Sequence, residues 1–191
     1  MNKITKLLFA FVAVASFSLT SCEPDYVTDG STVPSEAHIT ISYLDSEGNV
    51  TSTKEYSYDK TNSQVSGVRG PRQDVDGVSY TESTIVAAPN PENLDLPAFT
   101  IFFEYQEETG IYQIKENGRN TAMISIDGIN DIYTSTDEGG QLEVFNYDIL
   151  TGSAVTDMYF RSRSEFSFYA KNPVTNQTCR VQGTATTNFK L

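Results

Sequence analysis

The chain has 191 residues, with 25 Asp and Glu against 13 Lys and Arg, a formal charge of −12. Such an acidic chain repels phosphate backbones and anionic lipid surfaces, so nucleic acid is excluded as an electrostatic partner. Apolar residues reach 38%, enough for one ordinary core, while one His and two Cys exclude a zinc cluster, a disulfide framework or haem held by paired histidines.

In chain order, Lys3 and Lys6 open the sequence and Leu7–Leu19 follow as a mostly apolar, uncharged run. Thirteen helical residues rise about 20 Å, short of the roughly 30 Å hydrocarbon core, so the run reads as a signal-peptide apolar region. Next come Leu19-Thr20-Ser21-Cys22. This resembles the lipobox of bacterial lipoproteins, an aliphatic residue and two small ones before a lipidated Cys. The resemblance implies diacylglycerol on the Cys22 thiol, cleavage after Ser21 and acylation of the new amino terminus. Several acyl chains together hold a protein stably at a bilayer, where one holds it only marginally. Glu23-Pro24-Asp25 resembles the acidic export signal of Bacteroidota lipoproteins, which implies the outer membrane.

Removing residues 1–21 from 191 leaves 170, with 25 acids against 11 bases. Residues 22–37 are polar, carry Pro24 and Pro34, and read as a flexible acidic tether. Residues 38–191 read as strand after strand. Ile39, Ile41 and Tyr43 alternate with Thr40 and Ser42, a turn cluster spans Asp45–Asn49, and Val50–Tyr58 resumes; this is a hairpin. Further strand-like runs are Val78–Val86, Phe99–Tyr105, Ile111–Lys115, Thr121–Ile126, Ile129–Thr134, Leu142–Tyr147, Val155–Arg161, Phe166–Ala170 and Cys179–Thr187. Residues 60–77 and 87–98, rich in Gly and Pro respectively, are expected to be long surface loops. The pattern predicts a single all-β, antiparallel domain, as a β-sandwich or a flattened β-barrel.

Few residues could carry chemistry. His38 is the only imidazole, so any His-based acid–base step would need it; it falls on the solvated Thr40/Ser42 face. Cys179 alternates with Val181, Gly183 and Ala185 and is expected to be a small buried hydrophobe. Asp74-Val75-Asp76-Gly77 has the alternate carboxylates of a calcium-loop fragment but lacks the remaining ligands; a turn explains the same residues. Asp127-Gly128 and Asp137–Gly140 also read as turns. Arg161 and Arg163 share a strand face with Tyr159 and Glu165, suited to a bound carboxylate or to neutralising acids across strands. Tyr56, Tyr58, Tyr112, Tyr133 and Tyr147 could stack on a glycan or protein partner, although half-buried sheet positions favour Tyr anyway. The 25 acids offer many carboxylate pairs for glycoside hydrolysis, none distinguished by its spacing.

Phe166–Asn172, Gly183-Thr184 and Phe189 are similar to the closing strands of small β-rich Bacteroidota lipoproteins, a group mostly without assigned function. The expectation is a non-enzymatic, lipid-anchored binding or structural domain at the outer membrane. Cys22 is its one assigned site, no cofactor or metal is implied, and the partner is an extracellular or periplasmic protein or glycan. A lipocalin-like barrel for a small apolar ligand and a two-carboxylate hydrolase stand as alternatives.

Overall fold

The computed structural model describes residues 35–75, 77–93, 95–105, 109–127, 131–151 and 158–190. Cys22, the Leu7–Leu19 run and nearly all of the tether therefore lie outside the described residues. Among the described residues there are strands and turns and no helix. The strands are β1 (Glu36–Leu44), β2 (Val50–Tyr58), β3 (Ser63–Val75), β4 (Val78–Pro89), β5 (Ala98–Tyr105) and β6 (Gly110–Gln113). They continue as β7 (Thr121–Ser125), β8 (Ile132–Ser135), β9 (Gln141–Thr151), β10 (Met158–Lys171) and β11 (Thr178–Lys190).

Hydrogen-bonded pairing joins all eleven in the order β2-β1-β11-β3-β4-β5-β7-β8-β10-β9-β6, with β11 also paired to β10. The extensive ladders divide this sheet into two halves. One is β2-β1-β11-β10-β9-β6, antiparallel throughout. The other is β3-β4-β5-β7-β8, also antiparallel. The halves join at two short seams: a single parallel bridge, Phe189↔Gly67, and the pairs Ala170↔Ser135 and Lys171↔Thr134. The ladder ends on β2 and β6 and is not a closed barrel. The domain is all-β and, but for that one parallel bridge, antiparallel, in the form of a β-sandwich or flattened barrel, as the alternation predicts.

Period-two patterning explains why the halves stack. Ile39 and Ile41 on β1, Val181 and Ala185 on β11, Phe166 and Phe168 on β10, and Leu142 and Val144 on β9 are all buried. They belong to one core with Ile85 on β4, Phe99, Ile101 and Phe103 on β5, and Ile124 on β7. Ring contacts link the layers: Phe99 lies 5.5 Å from Phe166 and 5.5 Å, edge-on, from Tyr58. The buried Tyr58 hydroxyl donates to the Pro97 carbonyl at 2.8 Å, so its polar tip is satisfied.

Four boundaries differ from the sequence expectation. Residues 60–77 are not a loop: β3 occupies Ser63–Val75 and pairs with β4. Gly70 and Pro71 are accommodated because the register shifts between Arg69 and Arg72, and a proline without an N–H fits where the ladder is interrupted. Residues 87–98 are a loop only after Pro89, where β4 ends. The runs at 155–161 and 166–170 belong to one strand, β10, whose polar middle is held by ladders on both sides; residues 155–157 lie outside the described residues. β1 begins at Glu36, two residues before the expected edge of the tether.

Candidate functional site

The outward face of the β2-β1-β11-β10-β9-β6 half is where cross-strand register gathers polar side chains. One row runs Ser57, His38, Thr184, Glu165, Glu143 across β2, β1, β11, β10 and β9. The next runs Glu55, Thr40, Gln182, Ser167, Gln141, Gln113 and reaches β6. A third places Ser42, Arg180 and Tyr169 side by side. All but Ser42 line one open groove of about 1030 Å³.

Its floor is set by Gly183. A Cβ there would lie 2.3 Å from the His38 carbonyl oxygen and 2.9 Å from the Phe166 ring, so only a hydrogen side chain lets β1, β11 and that ring meet. Ile39 and Phe166 pack against Gly183 from the core side and are only 2% and 4% exposed. The side chains that face the groove are thus polar, apart from the Tyr169 ring. On its flank the Arg180 guanidinium sits 5.9 Å from the Tyr169 ring centroid, and its buried Nε has no hydrogen-bond partner among the described residues. Glu143 and Glu165 stand directly opposite each other, a like-charge placement that weakens a sheet unless something bridges it. Glu55, Glu143 and Glu165 against Arg180 leave the groove acidic.

His38 is exposed, on the Thr40/Ser42 face, and its Nδ1 lies 3.0 Å from the Ser57 hydroxyl; it joins the groove, and among the described residues no carboxylate is hydrogen-bonded to it to complete a triad. Cys179 is fully buried, and burial, with Asp131 nearby, pushes its thiol up to about 12. That is the inert core thiol the alternation predicts. Asp74 lies at the β3–β4 hairpin end, where its carboxylate accepts from the Ser79 hydroxyl, and Gly77 has φ +79°; this is turn chemistry. Asp76 lies outside the described residues, among which no group of three metal-ligating side chains converges. Arg161 is buried opposite Asp148 in register, whereas Arg163 is exposed opposite Asn146. The pair is therefore split by environment and does not form one receptor. Tyr58 and Tyr133 are buried core residues, and Tyr56 and Tyr112 pack partly against the core.

Gln113, Gln141, Gln182 and Glu143 were not legible as site residues. Each is an outward residue of a strand, and only the order of strands brings them together. No known protein-family model matches the chain, and no curated protein or solved structure matches it either.

Proposed function

We propose that the chain is a lipid-anchored, non-enzymatic binding module of the bacterial cell envelope, tethered by acylated Cys22 to the outer membrane. The observation that carries this reading is Leu19-Thr20-Ser21-Cys22 directly after a basic start and a thirteen-residue apolar run. A rigid sandwich with an open polar groove supports a binding role. Aromatic side chains fill the space between the layers, which favours a ligand on the surface over a lipocalin-like interior site. One observation favours a second reading, carboxylate-based hydrolysis: Glu143 opposite Glu165 places two carboxylates within one groove, as glycosidases require.

The test is metabolic labelling with a palmitate analogue, comparing the wild type with Cys22→Ala, together with protease shaving of intact cells. Label on the wild type alone is the expected result, and loss of the domain on shaving places it on the outer face. Label on neither protein would sink the anchored reading.

A further inference from the structure

We propose that the groove binds a neutral oligosaccharide lying across the strands, from Glu55 on β2 to Gln113 on β6. This rests on the binding-module reading but not on the lipid anchor. Six strands at about 4.8 Å spacing make a track of about 24 Å, long enough for several linked pyranose units. At about 1030 Å³ and open to solvent, the groove suits an extended ligand better than an enclosed small molecule.

The chemistry of the lining selects the class. Along the track stand Glu55, Thr40, Gln182, Ser167, Gln141 and Gln113, each beside the next in register. Amides and hydroxyls both donate and accept, which matches sugar hydroxyls, themselves donors and acceptors. The carboxylates of Glu55, Glu143 and Glu165 accept only. They reward hydroxyl donors with charge-assisted bonds and repel phosphate, sulfate or uronate groups. A sugar hydroxyl donating between Glu143 and Glu165 would also relieve their like-charge juxtaposition. Beside the track stands the half-buried Tyr169 ring, opposite Arg180 in register. A pyranose ring presents a hydroxyl rim, which the amides and carboxylates match, and an apolar C–H face, which the Tyr169 ring matches. A cationic peptide would meet the acids but leave the Gln track unused, and Arg180 would oppose it.

The experiment follows amide chemical shifts of the full-length chain in detergent solution during titration with maltohexaose, cellohexaose and mannohexaose, with a sulfated oligosaccharide and oligolysine as charged comparisons. At least one neutral hexasaccharide should give saturable shifts concentrated at Gln141, Ser167 and Gln182. Gln182→Ala and Gln141→Ala, both solvent-facing, should each weaken that binding about tenfold with the thermal midpoint unchanged. Arg119→Ala, on the exposed side chain paired with Glu104, should leave it intact. No saturation by any neutral hexasaccharide at millimolar concentration would overturn the proposal. So would saturable binding of oligolysine alone, abolished by Glu143→Gln with Glu165→Gln. Either failure, with palmitate label still on Cys22, would remove the glycan and leave the anchored module standing.

Discussion

Individual residues divide between those that hold the layers and those that face solvent. Phe99 is fully buried between Tyr58 and Phe166. Phe99→Ala should cost about 3–5 kcal/mol through lost burial and a cavity, read as a lower urea midpoint with an unchanged slope. Tyr58→Phe keeps the ring and strands the Pro97 carbonyl, so it should cost only about 1–2 kcal/mol. A Tyr58→Phe loss equal to that of Phe99→Ala would show that the hydroxyl, not the ring packing, dominates there. Cys179 offers a sharper check. With its thiol pushed up to about 12, almost no thiolate exists near neutrality. A disulfide reagent should leave it untouched in the folded chain and modify it fully in denaturant; rapid native labelling would mean that the core opens at β11.

At the scale of the element, close approach and edge protection decide what each strand tolerates. Gly183 pairs with Ile39 on one side and Phe166 on the other. Since an added Cβ would meet the His38 carbonyl oxygen at 2.3 Å, backbone must move, and Gly183→Ala should destabilise by about 1–3 kcal/mol. The same change should disturb the groove floor, so amide shifts of His38 and Thr40 report it alongside the melting midpoint. β2 ends the sheet and leaves Val50 60% exposed. Lys54 stands opposite Ile41, and its ammonium lies 6.0 Å from the Tyr43 ring. A lysine on the core-facing side of an edge strand discourages pairing with a second sheet. Lys54→Val should therefore leave the monomer's stability nearly unchanged and raise light scattering on concentration. The β1–β2 turn is set by Asp45, whose carboxylate accepts from the Glu47 and Asn49 backbone N–H groups at 2.9 and 2.8 Å. Those bonds, that to Asn49 foremost, hold the carboxyl below its usual range.

Across the whole molecule, ionisation and burial together set the response to pH. Burial raises Tyr58 and Tyr133, and it pushes Tyr43 up to about 12. A folded value above the unfolded one means that the neutral phenol's contribution is intact below about pH 10 and is lost as pH rises through the folded values. Cys179 adds to this from about pH 9 upward. The urea midpoint should hold steady near neutrality and fall steeply above about pH 10, with Cys179→Val softening the onset. A midpoint unchanged at about pH 11 would show that these groups ionise without unfolding the core. At the acid end, Asp45 and Asp59 are both held low by turn hydrogen bonds, so their support is lost as pH falls through those values.

Much of this architecture is legible in the residues themselves, because alternation has a period of two and a strand with one buried face must display it. Ile39, Ile41 and Tyr43, or Cys179, Val181 and Ala185, announce their inward face without any knowledge of neighbours. The turn at Asp45–Asn49 is equally local, and so is the solvated placing of His38. β3 was not legible, since Gly70 and Pro71 break its pattern and its place is secured by the ladder from β4. Nor was β10 as one continuous strand, since Arg161–Glu165 lack apolar alternation and are held by β9 and β11. The groove was legible least of all. Gln113, Gln141 and Gln182 are distant in sequence, and a strand's outward residues carry no mark of which strand lies beside them. By itself the sequence determined the inward faces, the hairpin turns and the Cys22 motif, because each depends on interactions within a few residues. The tertiary structure alone decided strand order, and with it the Gly183 floor and the polar track above it, because register is settled by which hydrophobic faces bury each other.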